Sequence, residues 1–290
     1  MPLRILRGLS ELAGSYDAFI LDLWGLIHDG IRPYPGVVNT LKNIKDAGIS
    51  TILLSNAPRR NHALIAAMTA MGIDRRLYDE VLSSGEATRH SLLTRDDAFF
   101  STLGDVAYHL GPERDLSVFE GTDIEVVATV EEATFIVNTG PVEIHHSVQQ
   151  YEAILKKAKL QELPMVCANP DKRVVRGGRH AICAGAIAGR YEEMGGQVGY
   201  RGKPDPVIYQ LAAKILDVSD VRRIAVVGDA LETDVFGATR AGFDSIWCTG
   251  GVHAEELDVV YGQIADVLRA QSLAEQYGCC PFGIIAGLAW

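Results

Sequence analysis

The chain alternates short apolar runs with longer stretches in which apolar residues recur every three or four positions. An amphipathic lead-in over 1–16 places Ile5, Leu6, Leu9 and Leu12 on one face. The first apolar run ends in Asp22, and 17–21 reads as a buried strand. Tyr34-Pro35-Gly36 introduces a helix with Val37, Leu41 and Ile44 inward, which stops at Ala47-Gly48. Residues 49–54 form the next strand, so the chain opens with a β-α-β unit, which requires parallel strands. A helix over 61–71, a helix–strand step over 73–82 and a helix over 86–93 follow, the last with Ser84 or Gly85 as its candidate cap.

From residue 98 the alternation repeats on a smaller scale. The pattern predicts a strand over 98–103, a short helix over 106–110, a strand over 116–119, and two more strands over 125–129 and 134–139. A helix over 147–159 turns Val148, Tyr151, Ile154 and Leu155 inward, and a strand over 164–168 runs into Asn169-Pro170-Asp171-Lys172-Arg173. A helix over 184–194 closes at Gly195-Gly196 and leads to a short strand over 198–200. Helix 207–216, strand 224–227, helix 234–241 and strand 244–248 resume the larger rhythm, and the apolar tail over 278–290 is expected to dock on the core. The result is an α/β chain in which 85–181 interrupts a domain made of 1–84 and 182–290.

The chemistry-bearing residues sit at predicted strand ends, where an open parallel sheet binds its ligands. Asp22 closes the first run and is followed by Gly25, where backbone approaches a ligand closely; Ser55-Asn56 closes the second. Gly228-Asp229 closes a third, with Glu232 and Asp234 close behind, and Lys203 stands in Gly202-Lys203-Pro204-Asp205-Pro206 just before a helix. Each has a plain alternative: a turn cap for Asp22 and Ser55, helix-start acids for Asp229 and Asp234, a solvated loop lysine for Lys203.

In their order along the chain these residues resemble the haloacid dehalogenase superfamily, and the resemblance covers nearly all of it. The position of the insert, with Asn169-Pro170-Asp171 and Gly185-Ala186-Ile187, resembles the class IIA, NagD-like branch. That resemblance implies a Rossmann-like, doubly wound parallel-sheet core and a smaller αβ cap that chooses the substrate. It also implies a Mg²⁺-dependent phosphatase of small, phosphosugar-like metabolites acting through an aspartyl-phosphate. Asp22 would be nucleophile and metal ligand, with the Trp24 main-chain carbonyl and Asp229 as further ligands. Asp234 would bind or orient a metal-bound water, a duty for which Glu232 is a second candidate. Ser55 and the Asn56 backbone would hold phosphate oxygens, and Lys203 would neutralise charge between Asp22 and the phosphate.

One position departs from the family pattern. Phosphatases of this superfamily carry a second Asp two residues after the nucleophile, as acid and base; here that position is Trp24, whose indole N–H is a donor only. Three readings follow: a slow phosphatase biased to good leaving groups, a weak or inactive phosphometabolite-binding or regulatory protein, and a metal-independent dehalogenase-like hydrolase. His28 is a candidate substitute acid, with an ordinary loop histidine as its alternative. In the insert, Asn138, Asn169, Lys172 and Arg173 are candidate substrate contacts or solvated loop residues.

Composition narrows the partners. A chain of 290 residues, 48% hydrophobic, has material for two domains. A formal charge of −10 argues against nucleic acid bound through its phosphates. It leaves room for a small anion, since one lysine and a metal ion reverse the field locally. No apolar run approaches the ~20 residues of a membrane span. Residues 1–10 lack a secretory signal, so a cytoplasmic address is expected. Cys167, Cys183 and Cys248 sit among apolar neighbours, while Cys279 and Cys280 are adjacent, a poor basis for a bridge. An exposed sheet edge on the cap makes a homodimer a candidate assembly.

Overall fold

A computed structural model describes residues 3–95, 97–176 and 179–290; the first two residues of the lead-in lie outside it. The chain divides into two compact units, Met1–Ser55 with Leu64–Leu82 and Lys203–Trp290, and Asn56–Ala63 with Ser83–Gly202. In this division residues 182–202, expected in the core, group with the inserted unit. The strand there pairs inside the inserted sheet, and Asn56 and Arg60 bond to Asp171 and Glu86 of the same unit.

The first unit begins with β1 (Arg4–Ile5), β2 (Ala18–Asp22), α1 (Val37–Asp46), β3 (Ser50–Ser55), α2 (Asn61–Ala70) and β4 (Glu80–Ser83). Helix α1 buries Val37, Leu41 and Ile44, the face that the spacing predicted. The insertion then supplies α3 (Ser84–Thr94), β5 (Val106–Leu110), β6 (Glu125–Val127), β7 (Phe135–Asn138), α4 (Glu152–Leu160) and β8 (Met165–Cys167). A hairpin of β9 (Arg173–Arg176) and β10 (Arg179–Ile182), α5 (Ala184–Glu193) and β11 (Val198–Tyr200) complete it. Its sheet runs β11-β8-β7-β5-β6 with every pairing parallel.

Three expectations fail in this unit. Residues 106–110 form the interior strand β5, not a helix: five residues are too few for a packed helix, and β6 and β7 on either side hold it in the sheet. The predicted strand over 98–103 is instead a 3₁₀ turn at Phe100–Thr102, started by the Asp97 carboxylate accepting from Phe100 N at 2.8 Å. The predicted strand over 116–119 is the end of a 3₁₀ helix, Glu113–Phe119, which Pro112 opens.

The chain returns to the first unit through α6 (Pro206–Leu216), β12 (Ile224–Gly228), α7 (Phe236–Ala241), β13 (Asp244–Cys248), α8 (Ala254–Leu257), α9 (Val267–Gln276) and β14 (Gly283–Ile285). The sheet order is β1-β14-β13-β12-β2-β3-β4. From β2 the chain winds outward to β3 and β4, then restarts at β12 on the other side and winds to β13 and β14. The switch point therefore lies between β2 and β12, which pair in parallel from Ala18↔Ile224 to Leu21↔Val227. Every residue of both strands is buried, as expected of parallel strands covered on both faces.

The tail docks as expected, in a manner local pattern could not show. Strand β14 lies between β1 and β13, and Leu9 N donates to Ala289 O at 2.9 Å, so the two chain ends fasten one edge together. No helix among the described residues is long and apolar enough to cross a membrane. Ile284, 1% exposed in β14, should cost about 2–5 kcal/mol when cut to Ala. The same change at Leu268, 77% exposed, should stay within about 0.5 kcal/mol. Urea unfolding midpoints of the two variants compare them directly.

Candidate active site

Strands β2 and β12 end side by side, and each ends on an acid. Asp22 is the last residue of β2, and Asp229 directly follows β12. Beyond Asp229 the chain makes one π-helical turn, Leu231–Val235, before α7 begins. The wider turn folds Asp234 back so that its Oδ2 accepts from Ala230 N at 3.1 Å. Lys203 enters from the loop ahead of α6, where the Asp205 side chain caps the helix by accepting from Val207 N and Pro206 opens it. Its ammonium donates to Asp22 Oδ1 and, at 2.6 Å, to Asp234 Oδ1.

Asp22, Asp229, Asp234 and Lys203 are all at most 6% exposed. The three carboxylates offer oxygens that all lie within 4.8 Å of one another. At an effective dielectric near 20, each pair of charges at 4.8 Å repels by about 3–4 kcal/mol. One lysine against three acids leaves a surplus of negative charge. Burial pushes the Asp22 carboxyl up to about 7, Lys203 pulls it back, and Asp234 pushes it further. Asp229 is driven well above the carboxylate range by burial and then by Asp22 and Asp234. An oxygen-only donor set with surplus negative charge, shut away from water, fits a hard divalent cation.

The acids are held from several sides. Gly25 has φ +80°, and a Cβ on it would run into Asp229 Oδ2, so the Trp24–Gly25 peptide is pressed against that carboxylate. Its closeness, expected to serve a ligand, is taken up by Asp229. Gly251 packs on the other side, where a Cβ would again meet the Asp229 side chain, and Val252 N donates to Asp229 Oδ2 at 2.7 Å. The Trp247 indole donates to the Asp229 carbonyl at 3.0 Å. Gly250-Gly251 follows the strand predicted over 244–248, and a glycine pair at the end of the strand beside an acid-bearing one is the signal in the sequence.

Among the other predicted residues, Ser55 is buried at the end of β3, one place beyond Leu54, the register partner of Asp22. The Asn56 side chain, which belongs to the second unit, donates to Asp171 Oδ1 of that unit at 2.8 Å. Glu232 stands apart from the acid trio: half its side chain is exposed, and Oε2 lies 3.5 Å from His253 Nε2. His28 is a structural histidine. Burial lowers its pKa to about 4, Nδ1 accepts from Gly30 N at 3.1 Å, and its ring packs edge-on to Trp24 at 5.2 Å. A ring that is neutral at neutral pH makes a poor proton donor, so the substitute-acid reading falls. The half-buried Trp24 indole folds over Gly30, where a Cβ would collide with it. In the inserted unit, Asn138 is wholly buried, donating to Ala184 O and accepting from Gly140 N. Asn169 Oδ1 accepts from Asp171 N, and Lys172 and Arg173 are exposed.

Residues 19–125 match the haloacid dehalogenase-like hydrolase family model, and residues 200–275 match the HAD-hydrolase-like model. The crystal structure of a haloacid dehalogenase-like hydrolase from Brucella suis 1330 superposes with a TM-score of 0.84 at 31% identity, over 98% of this chain and all of that one. Chronophin from Bos taurus is 26% identical over 87% of this chain and 88% of its own length. The ribonucleotide monophosphatase NagD from Escherichia coli K12 is 26% identical over 80% and 87%. The chain belongs to the haloacid dehalogenase-like hydrolases, in their class IIA, NagD-like branch.

Crowding of three buried acids makes a stability prediction. In EDTA at neutral pH, above the ordinary carboxylate pKa of about 4, Asp229→Asn should raise stability by about 1–3 kcal/mol, because it removes a buried acid whose raised pKa costs stability there and keeps an acceptor for Val252 N. A melting temperature below that of wild type under chelation would show that the trio is not under electrostatic strain.

Proposed function

We propose that this chain is a Mg²⁺-dependent phosphatase of small phosphorylated metabolites, phosphosugars and their nucleotide relatives foremost, acting through an aspartyl-phosphate. The observation that carries this reading is the buried trio of Asp22, Asp229 and Asp234 at the switch point of a parallel sheet, with a single Lys203 bridging Asp22 and Asp234. The phosphatase named in its relative NagD supports the substrate class. The first unit supplies the chemistry, and the inserted unit is the substrate-selecting cap.

Asp22, Asp229 and the Trp24 carbonyl would hold Mg²⁺, with Asp234 binding or orienting a water on it. Bound there, the ion would offset the repulsion between an anionic phosphate and an anionic nucleophile. An Asp22 carboxylate oxygen attacks phosphorus in line, the P–O bond to the leaving group breaks, and the leaving oxygen departs with the electron pair. Lys203 neutralises charge between Asp22 and the phosphate oxygens, while Ser55 Oγ and the Asn56 N–H hold the oxygens that do not react. Water then attacks the phosphorus of the aspartyl-phosphate, which returns Asp22 and releases inorganic phosphate. The acid trio argues against the metal-independent dehalogenase-like reading, which has no use for three crowded acids.

Trp24 shapes the rate. Its indole neither gives nor takes a proton near neutral pH, so leaving groups that depart unprotonated are preferred. This favours aryl, acyl and anomeric phosphates over alkyl ones. The same residue is what favours the second reading, a phosphometabolite-binding protein with little turnover.

Asp22→Asn should cut p-nitrophenyl phosphate hydrolysis by at least about 10³-fold, as loss of a nucleophile does, and EDTA should do the same reversibly. Turnover that survives both overturns the mechanism. Trp24→Asp should raise alkyl-phosphate hydrolysis by about 10²-fold or more, the scale of acid–base help. Tight phosphometabolite binding without any release of phosphate, in wild type and in Trp24→Asp alike, would favour the binding-protein reading.

A further inference from the structure

The segment that follows β13 does more than end a strand. Its main chain at Gly251 and Val252 presses on and hydrogen-bonds the Asp229 carboxylate. The next residue, His253, is 3% exposed, and its Nε2 accepts from Leu231 N at 3.2 Å. Leu231 opens the π-helical turn that carries Asp234. Two adjacent residues therefore grip both ends of the Asp229–Leu231 stretch, one by its N–H and the other by its ring.

The ring itself is held on every edge. Nδ1 lies 2.6 Å from Glu256 Oε2, so the carboxylate takes the proton on Nδ1 and leaves the Nε2 lone pair for Leu231. Trp247 packs edge-on at 5.9 Å and Tyr277 at 5.2 Å. The Trp247 indole also bonds the Asp229 carbonyl, and Cys279 Sγ donates to the Leu231 carbonyl at 3.3 Å. A buried histidine with a fixed tautomer, aimed at a main-chain N–H beside an acid cluster, is costly to keep unless its direction matters.

We infer that His253 is a positioning residue: its Nε2 clamps the Leu231 N–H and thereby sets the Asp229 carboxylate and the Asp234 turn for cation binding. The inference rests on the metal reading proposed above for the acid trio. It goes beyond that reading by assigning the geometry of the trio to a residue outside it. The clamp needs a neutral ring. Protonation turns Nε2 into a donor that faces the Leu231 N–H, and Glu232, 3.5 Å away, draws it off. Glu232 from the π turn and Glu256 from α8 are the charged groups facing the ring, with the Tyr277 ring packed beside it. Burial lowers the ring's pKa, but Glu232 and Glu256 outweigh it and hold it above the ordinary histidine value, so the clamp is closed only above that raised pKa and loosens as pH falls through it.

Mn²⁺ binding, followed by electron paramagnetic resonance on wild type, His253→Phe, His253→Gln and Asp229→Asn, tests this without relying on turnover. His253→Phe should weaken Mn²⁺ binding by about 10–100-fold, the scale of lost ligand orientation. His253→Gln, whose Oε1 accepts in place of Nε2, should stay within about threefold of wild type. As pH falls from about 8 to 5.5, wild type should lose more affinity than His253→Gln, which has no ring to charge. Should His253→Phe fail to fold, Glu256→Ala leaves the ring in place and releases its tautomer, and should weaken Mn²⁺ binding severalfold. Wild-type affinity in His253→Phe, or equal weakening in Phe and Gln, overturns the inference. Equal Mn²⁺ binding by wild type and Asp229→Asn overturns the metal reading itself, and the clamp falls with it.

Discussion

Three carboxylates sharing one buried corner repel one another, and most of the first unit answers to that repulsion. Two arrive because β2 and β12 are neighbours at the point where the sheet reverses its winding. The third arrives because a π-helical turn folds Asp234 back toward the end of β12. Lys203 bridges two of the three and leaves the surplus charge for a cation. Lys203 offsets Asp22 and Asp234, while Gly25, Gly251 and the Val252 N–H close around Asp229. The cluster is a costly arrangement that local packing enforces, which is the usual mark of a site rather than of a fold.

Electrostatics and proton transfer are separable contributions to phosphoryl transfer, and the proposed mechanism keeps them apart. The groups that would handle charge, the acid trio and Lys203, lie together in one buried cluster. The position that would move protons carries an indole, folded over Gly30 and packed against a neutral His28. Phosphoryl transfer leans mainly on positioning and charge. On the proposed mechanism, such a site would discriminate by leaving group.

The chain ends contribute to the same corner. Strand β14 inserts between β1 and β13, and the residues before it carry Tyr277 and Cys279 to the ring of His253 and to Leu231. Tyr261 donates to the Leu26 carbonyl and stacks on Tyr34 at 3.8 Å, which fastens the loop after Asp22 to the last third of the chain. The loops bearing Asp22 and Asp229 are thus tied to distant segments rather than resting on their own strands alone.

Much of this was legible along the chain. Apolar runs ending in Asp22, Ser55 and Asp229 marked buried parallel strands with chemistry at their carboxyl ends, because a strand covered on both faces admits few polar residues until it leaves the sheet. The 3.6-residue spacing identified Val37, Leu41 and Ile44 as the inner face of α1. Composition and motif order carried the α/β class and the family. Tertiary structure alone decided the rest. Residues 106–110 became a strand because β6 and β7 flank them, and no local period distinguishes a five-residue, mostly apolar run in a sheet from one helical turn. Gly25 serves Asp229, Glu232 turns to His253, and His253 reaches Leu231, because those contacts join residues far apart in sequence through side-chain direction and backbone turns. Periodicity reports which face of an element is buried; which groups meet there depends on the order in which the strands are laid side by side and on the turns that follow them.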